Sequence, residues 1–178
     1  FCGVRYGSPE AISLTQKWMR TIQRGALLAS AELAAEKGAF PLFDRARYLE
    51  TDAAKALDPD LRAAIAEMGL RNGLQTSVAP TGTISLVANN TSSAVEPVFA
   101  FTHDRKIKLA DGTDRTERVE NFALAEFRRL KGPDATLPAY FVSAQDLKPA
   151  DHIAIQAAAQ GFVDRSISKT VNVPCTIG

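Results

Sequence analysis

Leu74-Gln75-Thr76-Ser77-Val78-Ala79-Pro80-Thr81-Gly82-Thr83-Ile84-Ser85-Leu86-Val87-Ala88 is the stretch on which the fold turns. Leu74 to Ala79 has the composition of a strand. Pro80, Thr81 and Gly82 interrupt it, and the short apolar run Leu86-Val87-Ala88 follows. The order predicts a strand, a tight loop and a helix start.

Upstream, Ser8-Pro9-Glu10 predicts the start of a long helix, with Ser8 as cap, Pro9 at the first helical position and Glu10 at the positive end of the dipole. Ala11, Leu14, Trp18, Ile22, Ala26, Ala29 and Leu33 recur in steps of three and four and predict one buried stripe. Gly38 is the expected left-handed cap. Phe40 to Phe43 and the polar segment after them read as loop. Asp58-Pro59 starts a shorter helix through Leu61, Ile65 and Met68 that Gly69 ends.

Downstream, Asn89 to Ser93 is a polar loop. Val98 to Leu109 and Thr113 to Val119 pair as a hairpin about Asp111-Gly112, charged enough to face solvent. Asn121 to Leu130 is helical, Tyr140-Phe141-Val142 reads as a short strand, and Pro149 opens a last helix. Ser166 to Val173 alternates and predicts a final strand closed by Pro174. Ile167, Lys169, Val171 and Val173 fall on one of its faces, and Ser166, Ser168, Thr170 and Asn172 on the other. Interleaved helices and strands make the fold class α/β.

The 178 residues are 46% apolar and 23% charged, which excludes a disordered chain, a collagen-like repeat and a disulfide-stapled miniprotein. With 21 basic and 20 acidic side chains the net charge is +1, which gives no reason to expect direct nucleic-acid or membrane-surface binding. Cys2 and Cys175 form no CxxC or Cys/His cluster, so no metal site is expected, and two lone thiols suit a reducing compartment. The chain opens Phe1-Cys2-Gly3-Val4 without Met. The expectation is a piece of a longer protein.

The best candidate for chemistry is Ala79-Pro80-Thr81-Gly82-Thr83-Ile84-Ser85. A helix start leaves backbone N–H groups unpaired and pointing one way, which suits a phosphate or diphosphate. Gly82 admits close approach, and Thr81, Thr83 and Ser85 add hydroxyls. The plainer reading is a Thr cap on a helix. It is not a Walker loop, since no Lys follows the glycine. Glu96, before Pro97, either orients a substrate or forms a structural ion pair, with Arg105 as the expected partner. His103 and His152 read as surface residues.

Arg71-Asn72, Val78 to Ser85, and Asn90-Thr91-Ser92-Ser93-Ala94-Val95-Glu96-Pro97-Val98-Phe99-Ala100 together resemble the C-terminal half of a ribonucleotide reductase catalytic chain, most of all the adenosylcobalamin-dependent class. Glu32 to Phe43, and Ile155 to Ala158 with Asp164 and Ser168-Lys169-Thr170-Val171-Asn172-Val173-Pro174, agree with it. The resemblance implies that residues 1–178 are the C-terminal half of a ten-stranded α/β barrel domain, with a hairpin at about 98–119. It implies radical reduction of a ribonucleoside di- or triphosphate in deoxyribonucleotide synthesis, with Ala79 to Ser85 on the substrate phosphates and Glu96 at the pocket. Adenosylcobalamin as cofactor, a thioredoxin-like thiol reductant, the rest of the catalytic chain as partner and a cytoplasmic location are implied in the same way. The same reaction in a di-iron-dependent reductase, or a non-catalytic phosphate-binding module, are the alternatives.

Two departures stand out. Ala94-Val95 occupy the place of the family's Gly-Ile, which matters if that glycine needs positive φ. The family's thiyl motif, Asn-x-Cys-x-Glu, does not occur in this chain. Neither Cys2 nor Cys175 matches a family cysteine, so no catalytic residue is assigned, and the chain alone is expected to be inactive and not to bind the cobalamin.

Overall fold

The computed structural model describes residues 2–173. The expected stop at Pro174, and Cys175, lie outside them. The elements are α1 (Pro9–Lys37), α2 (Arg45–Leu49), α3 (Asp52–Lys55), α4 (Pro59–Met68), α5 (Gly82–Val87), β1 (Thr102–Lys108), β2 (Asp114–Glu120), α6 (Phe122–Lys131), a 3-10 turn (Ala144–Asp146) and α7 (Pro149–Gln160). They fall into two units. One takes the chain up to Leu14, Val78–Ala158 and the residues from Ile167 on; the other takes Thr15–Ser77 and Ala159–Ser166.

The second unit is a small helical core. Leu27 and Ala31 of α1 cluster with Leu61 and Ile65 of α4 and with Leu70. Phe40, Phe43, Tyr48 and Leu57 pack around them. The buried face of α1 is therefore not the expected stripe. Trp18 and Ile22 are half exposed, at 50% and 53%, and Ala29 and Leu33 are exposed as well. An alanine-rich helix carries more than one apolar stripe, and the partner decides which is covered; here α4 covers the one through Leu27 and Ala31. Arg24 holds Asp60 through Nη1 at 3.1 Å, and that bond keeps the Asp60 carboxyl below its ordinary range. Gly38 and Gly69 end their helices at φ +80°, as expected. The segment after Phe43 is not plain loop. Asp44 and Thr51 accept bonds from the amides of Arg47 and Ala54, and these caps start α2 and α3.

In the first unit, β1 and β2 pair antiparallel from Thr102↔Glu120 to Lys108↔Asp114, a shorter hairpin than the expected 98–119. Asp111 takes the Thr113 amide at 2.9 Å, and Gly112 turns at φ +83°. Asn121 caps α6 by accepting from the Ala123 amide at 3.0 Å. Tyr140 to Val142 is not a strand. No strand partner faces it, and the Phe141 ring instead meets Phe101, Phe127 and Tyr140 at 5.2–5.5 Å between centroids.

The two strands expected at Leu74–Ala79 and Ser166–Val173 reduce to one parallel bridge, Val78↔Ile167. A ladder needs successive backbone partners. In the second unit, the amides of Gln75 and Thr76 go instead to the Asp164 carboxylate, at 2.7 and 3.2 Å. The described residues form a mixed helix and strand fold with a two-stranded sheet.

Candidate functional site

The predicted loop lies in the first unit. The backbone turns at Thr81, which adopts φ +50°, and α5 begins at Gly82. Among the described residues, the amides of Gly82, Thr83 and Ile84 meet no protein acceptor, while Ser85 N–H returns to Thr81 O at 2.9 Å. A Cβ placed on Gly82 would touch nothing within 4 Å, so the approach to these amides is open.

The hydroxyls are less free than the sequence suggests. Thr81 does not cap α5; its Oγ1 accepts from the Ala94 amide at 2.9 Å and keeps only its proton to give. Ser85 is buried and donates to Gly82 O at 2.6 Å, with Ser93 Oγ at 3.5 Å. Thr83, exposed, has no such bond. The expected trio of hydroxyl donors is thus one free hydroxyl and the proton of another.

Facing α5, residues 89–97 are held in a strained path. Asn89, Asn90 and Ala94 adopt φ +60°, +55° and +46°. Asn90 is fixed by Arg105 at 2.6 Å on its Oδ1 and by Asn121 at 3.0 Å on its carbonyl. Tyr6 donates to Val95 O at 2.6 Å. Burial, and secondarily the Glu96 charge, push the Tyr6 phenol above its ordinary range, so it stays a neutral donor.

Glu96 pairs with Lys169, not with Arg105. Lys169 Nζ donates to Glu96 Oε2 at 2.6 Å, and the Thr170 amide donates to Oε1 at 2.6 Å. The Lys169 side chain is 1% exposed. Its ammonium also donates to His152 Nδ1 at 2.9 Å and to Thr170 O, so all three protons are placed. An ammonium only donates, so Nδ1 accepts, and the imidazole proton sits on Nε2, 3.3 Å from Ala144 O. His152 is fully buried, not a surface residue; His103 is exposed, as expected. The Lys169 ammonium, taken out of water, is held because each of its protons has an acceptor.

A cleft of about 580 Å³ opens beside this network, lined by Ser85, Asn90, Ser93, Glu96, Arg105 and Thr170 among others. Of the predicted residues, Ser85 and Glu96 are on its wall, and Ala79 to Ile84 are not. Its lining is mixed: apolar Leu86, Val98 and Phe99 face hydroxyl and amide side chains. Sequence reasoning missed Lys169, His152 and Tyr6. A signal existed for Lys169, whose register places it on the same face as Ile167. Among the described residues no three His, Cys, Asp or Glu side chains gather as metal ligands. A cobalamin exceeds the cleft in size, so the residues present do not fit that cofactor.

Residues 2–177 match the ribonucleotide reductase barrel domain. A vitamin B12-dependent ribonucleoside-diphosphate reductase of Mycobacterium tuberculosis is 36% identical over 98% of this chain and 25% of its own length. The enzyme of the same name from Thermoplasma acidophilum is 28% identical over 96% of this chain and 22% of its own. The ribonucleoside-diphosphate reductase 1 subunit alpha of Escherichia coli is 30% identical, again over 96% and 22%. The chain spans about a quarter of the length of these relatives. The match along nearly all its residues places this chain in the ribonucleotide reductase barrel-domain family.

Proposed function

We propose that this chain is part of the catalytic chain of a ribonucleotide reductase and that it holds the substrate's phosphates. The single supporting observation is the set of amides at Gly82, Thr83 and Ile84, which have no protein acceptor and stand where nothing crowds them. Charge-assisted bonds from amides to phosphate oxygens are about twice as strong as neutral ones. The Thr83 hydroxyl and the Thr81 proton add to them. The substrate is a ribonucleoside diphosphate, in keeping with the names of the relatives. The carboxylate of Glu96 only accepts hydrogen bonds and has its charge met by Lys169, so it favours the hydroxyl-bearing end of the nucleotide at the cleft.

The vitamin B12-dependent class is favoured, because identity to that Mycobacterium tuberculosis enzyme is 36% against 30% to the Escherichia coli subunit. The cobalamin supplies the radical when bound, and in this reading it is held, like the reacting thiols and the rest of a ten-stranded barrel, by parts of the longer chain. A cytoplasmic setting and a thioredoxin-like reductant belong to the same reading. In this reading the described residues bind and orient the substrate.

Titration with a nucleoside diphosphate tests the reading. The amide resonances of Thr81 to Ser85 should shift. Gly82→Ala should weaken binding about tenfold, because its methyl stands where a phosphate oxygen must approach the amides, with the melting temperature not lowered because that methyl meets no protein atom. Unmoved amides in the folded protein would refute it.

A further inference from the structure

We propose that Lys169, steadied by His152, is a positioning residue for the loop at Thr81 to Ser85, acting through Glu96 and Ala94; the inference rests on the phosphate reading of that loop. A closed circuit of contacts within one unit links these residues. Ile167 bridges Val78 in parallel, and Ser168 N–H donates to Val78 O at 2.9 Å. This ties the last described segment to the residue two before Pro80. One residue further on, Lys169 Nζ donates to Glu96 Oε2 at 2.6 Å, and the Thr170 amide donates to Oε1 at 2.6 Å. Two residues before Glu96, the Ala94 amide donates to Thr81 Oγ1 at 2.9 Å. Thr81 stands three residues after Val78, so the circuit returns to its start.

The circuit has something to hold. Thr81 is β-branched and sits at φ +50°, and Ala94 sits at φ +46°; both conformations are unfavourable for residues with a Cβ and persist only when the surroundings fix them. The Thr81 torsion aims the amides of Gly82, Thr83 and Ile84. If the Glu96 carboxylate is released, the loop at Ala94 keeps only its Tyr6, Ser92 and Ser93 bonds, the hold on Thr81 slackens, and the amides lose part of their common direction. His152 supports the device without touching the loop. Its Nδ1 takes the Lys169 proton directed away from Glu96 and Thr170, and its Nε2–H is anchored on Ala144 O. The ammonium therefore has one fixed place, and so has the carboxylate.

The experiment measures binding of inorganic pyrophosphate to the 178-residue protein and to Lys169→Met, Thr81→Val and the double variant. Lys169→Met should weaken binding about tenfold, although Lys169 touches no phosphate. The Thr81→Val loss should be smaller in the Lys169→Met background than in the wild type, because both cut the same circuit. A folded Lys169→Met protein that binds like the wild type, or two losses that simply add, overturns the proposal. Should Lys169→Met fail to fold, Glu96→Gln with Lys169→Met removes both charges and takes its place, with the same loss expected and the same wild-type affinity overturning it. If the wild type binds no pyrophosphate, the phosphate reading falls by itself. Hydrogen exchange at the Ala94 and Ser85 amides then decides the positioning claim: about tenfold faster exchange in the variant supports it, and unchanged exchange overturns it.

Discussion

The two units differ in how much polar structure they bury beside their apolar residues. In the unit of Thr15–Ser77 and Ala159–Ser166, Leu27, Ala31, Leu61, Ile65 and Leu70 exclude water with apolar surface. In the other, the fully buried His152, the 1%-exposed Lys169 and the buried Ser85 and Asn121 sit among the inner residues, and each is hydrogen-bonded. An apolar cluster tolerates small displacements, because dispersion and burial are non-directional. A polar network does not, since one missing partner leaves a desolvated charge. The contrast locates the candidate site in the unit whose geometry is specified by directed bonds.

Five variants break or sharpen that contrast. Lys169→Met should cost roughly 3–5 kcal/mol in denaturant unfolding, by leaving the buried His152 Nδ1 without its donor and the part-buried Glu96 carboxylate with the Thr170 amide alone. Glu96→Gln with Lys169→Met should return most of that loss, whereas no second substitution repairs a cavity so simply. Ile65→Ala, at a fully buried position of the apolar unit, should cost roughly 2–5 kcal/mol with nucleotide binding unaffected. Ala94→Gly should stabilise by about 0.5–1 kcal/mol, because glycine accepts φ +46° without a Cβ clash and the gain exceeds its added chain entropy. A loss in equilibrium unfolding would mean the Ala94 methyl is needed. Trp18→Ala should change stability by less than about 0.5 kcal/mol, since the ring is half exposed. A loss of several kcal/mol would restore the stripe through Trp18 and Ile22 as the buried one.

Local signals were legible wherever the cause was local. Ser8-Pro9, Gly38, Asp58-Pro59, Gly69, Asp111-Gly112 and Asn121 each mark a boundary that the structure keeps, because caps and turns depend on a few neighbouring residues. The face of α1 was not legible, because several apolar stripes run along it and only the partner selects one. The strand readings at Leu74–Ala79 and Ser166–Val173 gave a bridge rather than a ladder, because pairing is not a property of either segment alone. At the site, the free amides of Gly82 to Ile84 follow from any helix start, and the sequence carries that signal. The doubt raised over Ala94, in the place of a family glycine, was well aimed, since its φ is positive. The partner of Glu96 was misread. Arg105 is nearer in sequence, but Lys169, 73 residues away, reaches it. Its position on the Ile167 side of an alternating segment was the available sign of a lysine turned inward.

The chain contains one tryptophan, and the fold leaves it half open to water at position 18. Its emission will therefore be red-shifted in the native state and nearly blind to melting of the core that contains Ile65. The same indole will turn blue as soon as another surface settles along that side of α1, which makes it a built-in optical gauge of coverage rather than of folding.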